Sequence, residues 1–199
     1  MRLFLPLAIL LAFSAYLQSC ATVNHNELYR MAENSVEPGG STFVVLENGE
    51  KIQGAKLKRN RKWSIDGKEI DPAKVKAYQD KSGYAENGAT RIINGKKLSM
   101  YYYVQDNSRM QSTYNSGTNT FKNTTTGGTA TSFYMKRPGG DIEGMTYNSV
   151  KKAVQDCPAA VDILEKQFKG TYTQRNPDWK TNDYPKLIKV LDAYNNTCP

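Results

Sequence analysis

Three dipeptides, Asn48-Gly49, Asp66-Gly67 and Asn94-Gly95, constrain this chain more than any other feature. Each lies between short runs of β-branched, aliphatic or aromatic residues. Asn-Gly and Asp-Gly pairs accept positive φ at both positions, which a two-residue type I′ hairpin turn requires. Thr42-Phe43-Val44-Val45-Leu46 thus leads through Asn48-Gly49 into an alternating strand over 51–58. Trp63-Ser64-Ile65 and Lys68-Glu69-Ile70 flank Asp66-Gly67. Arg91-Ile92-Ile93 and residues 96–104 flank Asn94-Gly95. Two further runs, 75–79 and 83–85, surround Lys81-Ser82-Gly83. Such short connections force neighbouring strands antiparallel. The spacing predicts an antiparallel β-meander or small barrel within a β-rich stretch, 41–137.

Residues 105–131 interrupt this pattern with Ser, Thr, Asn and Gly. Segments 115–119 and 123–128 hold little that burial could reward, so a mobile loop at the tip of a long hairpin is expected. Residues 132–136 supply its returning strand, and Pro138-Gly139-Gly140 ends the sheet.

The periodicity changes over 145–199. Tyr147, Val150 and Val154 fall at i, i+3 and i+7; Val161, Leu164 and Phe168 repeat that spacing beyond Pro158. Tyr184, Leu187, Ile188, Leu191 and Tyr194 form the cleanest apolar stripe in the chain. The expected class is α+β, with a C-terminal helical segment following the sheet.

The first twenty residues are of another kind. Arg2 precedes an apolar run over 3–17, broken by Pro6, Ser14 and Tyr16. The run is short for a membrane span and has the length of a signal-peptide apolar region. It ends in Leu17-Gln18-Ser19-Cys20, which resembles the lipobox of bacterial lipoproteins: an aliphatic residue at −3, a small one at −1, then Cys. The resemblance covers about twenty residues and implies cleavage of 1–19 and acylation of Cys20 with three chains. Multiple chains hold a protein stably at a membrane. Residues 20–40 then read as a tether, within which Glu27 to Glu33 could form a short helix, and 41–199 as a single domain on the outer membrane or periplasmic face of a bacterial envelope. With Cys20 acylated, Cys157 and Cys198 remain as a pair in a compartment that permits a disulfide.

A search for chemistry mostly excludes. His25 is the only histidine of the 199 residues, which removes triads and multi-histidine zinc sites. No phosphate loop, dinucleotide fingerprint or EF-hand is present, and no cofactor is expected. Asp141 and Glu143 could form an acid pair of the glycosidase kind, although Pro138-Gly139-Gly140 places them in a solvated loop. Net charge is +8, and Lys56, Lys58, Arg59, Arg61 and Lys62 crowd five cations ahead of Trp63. An exported chain seldom meets nucleic acid, so the cluster points instead to anionic lipid or glycan, or serves as a soluble, guarded sheet edge. Tyr101, Tyr102 and Tyr103, with Tyr114, Phe133 and Tyr134, gather aromatics on neighbouring strands. Alternation sends Tyr102 to one face and its two neighbours to the other; one face is core and the other a possible stacking surface for a sugar or extended peptide.

The expectation is a non-catalytic envelope module that binds an envelope protein, an anionic lipid or a glycan. The alternative is a glycan-acting hydrolase with carboxylates assembled by the sheet.

Overall fold

The computed structural model describes residues 25–36, 40–115, 120–168 and 183–198. The expected signal segment, 1–19, and Cys20 lie outside them. Helix α1 (His25–Asn34) is followed by β1 (Thr42–Leu46), β2 (Lys51–Gly54), β3 (Leu57–Arg59), β4 (Trp63–Ile65) and β5 (Lys68–Ile70). A single 3-10 turn, Pro72–Lys74, leads to β6 (Val75–Asp80), β7 (Gly83–Glu86), β8 (Ala89–Ile93) and β9 (Ser99–Asp106). Then come β10 (Arg109–Asn115), β11 (Thr120–Thr126), β12 (Thr129–Lys136) and β13 (Glu143–Gly144). Helices α2 (Tyr147–Ala153), α3 (Pro158–Phe168) and α4 (Tyr184–Thr197) close the chain.

The α+β expectation holds. Eight strands form one antiparallel sheet in the order β13-β12-β9-β8-β7-β6-β1-β2, and β3-β4-β5 form a separate meander. The sheet is open: β13 and β2 are its edges, so it is not a closed barrel. It nevertheless curls. Lys136 on β12 reaches Glu86 on β7 at 2.7 Å although β9 and β8 intervene. Three strand spacings are ~14 Å on a flat sheet, more than a lysine and a glutamate bridge when both stand upright from the sheet, so the face carrying both residues is concave.

The opposite face is covered twice. At the β9–β12 end, Met100, Tyr102, Phe133 and Met135 pack under Leu28 and Ala32 of α1, Val150 of α2, Leu164 and Phe168 of α3, and Leu187 and Leu191 of α4. At the β1–β6 end, Val44 packs with Ile65 and Ile70 of the meander, supported by Ile52, Leu57, Trp63 and Tyr78. The helical periodicity is borne out, with Val150, Val154, Leu164, Leu187 and Leu191 fully buried. Thr146 and Ser149 form a reciprocal cap at α2. Pro158 opens α3, where a missing N–H costs nothing.

Several elements differ from expectation. The short helix allowed for 27–33 forms as α1, yet it is no part of a tether: Leu28 and Ala32 are buried in the main core. The strand over 51–58 breaks at Gly54, and β3 departs to the meander. The Asp66 carboxylate accepts from the amides of Ala55 and Lys56, at 2.9 Å each, and so holds the break. A β-carbon on Gly54 would lie 2.4 Å from that carboxylate. Asp66-Gly67 takes positive φ at both residues, as a type I′ turn requires, whereas at the first turn only Gly49 does. Asn87-Gly88, an unanticipated pair, forms another double-positive turn between β7 and β8. At Asn94-Gly95 the connection runs over 94–98. It is fastened by Asn195 of α4, whose amide oxygen accepts from the Lys97 and Leu98 amides and whose Nδ2 donates to the Leu98 carbonyl. Of the stretch expected as a loop, 109–115 and 120–126 are strand: β10 and β11 pair over seven registered positions, extending the β9–β12 ribbon, while 116–119 of the expected tip lie outside the described residues. Backbone pairing alone satisfies such a ribbon, which composition does not reveal.

Candidate functional site

The meander carries the basic cluster. Its register sets Leu57 opposite Ile65, Lys58 opposite Ser64 and Arg59 opposite Trp63. Leu57, Ile65 and Trp63 face the second core, so alternation gives Arg59 their side and Lys58 the outer one. Arg59 is held on three sides. Its Nε lies 3.2 Å from Oδ2 of Asp80, and its terminal nitrogens donate to the Tyr78 hydroxyl at 2.6 Å and the Ser82 hydroxyl at 2.8 Å. The guanidinium also stands 4.5 Å from the Tyr78 ring centre. Lys62 pairs with Glu69 at 3.0 Å, both well exposed. Lys56, Lys58 and Arg61 are exposed and make no ion pair among the described residues.

The charge balance of this end is one-sided. Residues 51–81 contain ten Lys and Arg against four acids, and all four acids have internal partners. Asp66 holds two amides, Asp71 accepts from the Ala73 amide at 3.0 Å, Glu69 pairs with Lys62, and Asp80 pairs with Arg59. Apart from Lys51, whose ammonium lies 4.0 Å over the Phe43 ring, the surplus cations of this stretch are exposed.

A second constellation lies on the concave face and had no sequence signal beyond alternation. One registered row carries Phe43 beside Gln79 and Tyr84, and Arg91 beside Tyr101 and Tyr134. Glu86 is nearly buried, and Lys136 donates to both its oxygens at 2.7 Å while the Tyr84 hydroxyl donates to one at 3.1 Å. Burial, then the neighbouring Glu86 charge, pushes the Tyr84 phenol far above its ordinary value. Arg91 stacks 4.5 Å from the Tyr84 ring centre. The ion pair satisfies itself and ties β7 to β12; it leaves no free base.

Asp141 and Glu143 both line a 370 Å³ cleft with Arg137, Ser149 and Lys152. Both side chains are exposed, unlike the enclosed setting a general acid needs. His25 begins α1, and among the described residues no group of three His, Cys, Asp or Glu could hold a metal. Cys157 and Cys198 are bridged, with α-carbons 5.7 Å apart, joining the α2–α3 corner to the end of α4. Of the aromatic run, Tyr101 is buried on the concave side, Tyr102 toward the helices, and Tyr103 is 41% exposed. Tyr114's side chain lies outside the described ones. Among the described residues no helix is long and apolar enough to cross a membrane. Compared with protein families, curated proteins and solved structures, the chain matches none.

Proposed function

We propose that this chain is a bacterial envelope lipoprotein, held by acylated Cys20, whose non-catalytic domain applies its basic end to an anionic surface of lipid headgroups or acidic glycan. The observation that carries the surface reading is the exhausted set of acids over 51–81: each has a structural partner, so the surplus positive charge is available to a ligand. The Leu17-Gln18-Ser19-Cys20 motif supports the anchor. The hydrolase alternative would rest on Asp141 and Glu143, and their exposure gives it no support.

Two measurements test the two halves. Intact mass of protein taken from native membranes should lack 1–19 and carry a diacylglyceryl group and an N-acyl chain; an unlipidated mature chain refutes the anchor. Binding to phosphatidylglycerol vesicles or to a sulfated polysaccharide should weaken steeply with salt, as exposed charge pairs do. The double substitution Lys58→Gln with Arg61→Gln should weaken it further. Binding to neither, or binding indifferent to those substitutions, refutes the surface.

A further inference from the structure

The two layers that cover the convex face of the sheet bury separate clusters. Helix α1 covers one side and the meander the other, and between them lies a cleft of 210 Å³. Its floor is built from small residues of β7. Gly83 has φ of +145°, and a β-carbon there would come 3.3 Å from Ala32 of α1; Ala85 is buried beside it. Its walls are aromatic. Tyr29 stands on α1 with 58% of its surface exposed, Tyr102 comes from β9 and Tyr78 from β6. Arg59 lines the remaining side.

These groups define a chemistry. Arg59 is already charge-matched by Asp80 at 3.2 Å, so the cleft holds no unbalanced cation with which to recruit an anion. What it offers is hydrogen bonding from fixed positions. The Tyr78 hydroxyl accepts from Arg59 and keeps its own proton to donate. At most three of the five guanidinium N–H groups are engaged by Asp80, Tyr78 and Ser82, and the fork is rigid. Burial raises the Tyr78 phenol, and it raises Tyr102 to about 12. Both therefore remain neutral donors at physiological pH. Flat apolar walls with a few convergent polar groups suit a ligand that has one apolar face and a hydroxylated rim. The volume lies below the ~300–1,000 Å³ of drug-sized sites, and fits a single ring.

We propose that the cleft between α1 and the meander binds one neutral pyranose ring, which stacks on Tyr29 and is held by hydrogen bonds from Arg59 and the Tyr78 hydroxyl. This site is independent of the polyanion reading, which uses outward-facing charge and not the charge-matched Arg59.

The test is an amide-shift titration of the full chain in detergent micelles with glucose, galactose, N-acetylglucosamine and glucuronate. A single ring in so small a site is expected to bind with Kd of about 1 mM. At least one neutral sugar should give saturable shifts at the Ser82, Gly83 and Thr90 amides. Tyr29→Ala removes an exposed side chain, so the fold survives; it should weaken binding roughly 5–10-fold. Arg59→Gln should abolish it. Neutral-sugar binding should also persist at salt concentrations that abolish adsorption to polyanions, so each reading can fail without the other. The proposal is overturned if no neutral sugar shifts those amides, if only glucuronate does, or if Tyr29→Ala leaves the titration unchanged.

Discussion

Ser35 and Arg91 hold each other from both ends. The Ser35 hydroxyl shares its one proton between the Ala32 carbonyl at 2.8 Å and the Arg91 carbonyl at 3.1 Å, and the Arg91 guanidinium donates to the Ser35 carbonyl at 3.0 Å. The registered β7–β8 pairs are Ala85–Thr90 and Glu86–Ala89, so the ladder stops short of Arg91. The residue after α1 thus satisfies a β8 carbonyl and fixes the helix to the sheet. Ser35→Ala should cost about 1–2 kcal/mol by leaving that carbonyl unpartnered. Urea unfolding of the variant checks this; an unchanged midpoint would show that the contact contributes nothing.

Asp66 holds the corner where the chain passes from the large sheet to the meander. Asp66→Ala removes an acceptor from two amides and places Ala at φ of 50°, so a loss of about 2–4 kcal/mol is expected. Asp66→Asn keeps one acceptor oxygen and tolerates the left-handed conformation, and should lose about half as much. Thermal melts of the pair provide the comparison; equal losses would contradict this account.

The Cys157–Cys198 bridge closes a separation of 41 residues. On the chain-entropy model it stabilises by about 4 kcal/mol. Cys157→Ser, Cys198→Ser and the double variant should all melt at nearly the same reduced temperature. If the double variant were far less stable than either single one, the cysteines would be acting separately.

Alkali should unfold the protein over a defined range. Burial raises Tyr102 and Tyr184 to about 12, with a hydrogen bond to Glu27 adding to Tyr184, and it raises Tyr101 as well. A phenol whose folded value exceeds its unfolded value of about 10 favours the fold at lower pH. That contribution is fully present below pH 10 and is lost as pH rises toward 12. Phenolate absorbance and circular dichroism followed together should change in one step. Independent phenolate titration at ordinary values, with the fold intact, would refute the burial assignment.

Hairpins were legible in the sequence because Gly49, Gly67 and Gly95 punctuate strands of the right length. The helix stripes were legible because Leu187, Leu191 and Tyr194 repeat at helical spacing. The corner at Ala55 was not, because it depends on a carboxylate eleven residues away along the chain. Likewise, the 94–98 connection depends on Asn195, nearly a hundred residues distant. The basic run was visible as composition, yet only the fold separates inward Arg59 from outward Lys58. The cleft's tyrosines come from α1, β6 and β9, and no local pattern joins them.

The docking of α1 changes how far the domain can stand from a bilayer. Were residues 20–40 a free tether, an extended leash of 20 residues would reach about 70 Å. With α1 packed from His25 onward, only the steps from Cys20 to His25 remain, a reach of at most about 18 Å. An acylated Cys20 would therefore keep the start of α1 within one protein-layer of the headgroups. The domain would patrol a thin shell against the membrane rather than sweep the space beyond it. Lengthening that reach would require pulling Leu28 and Ala32 out of the core.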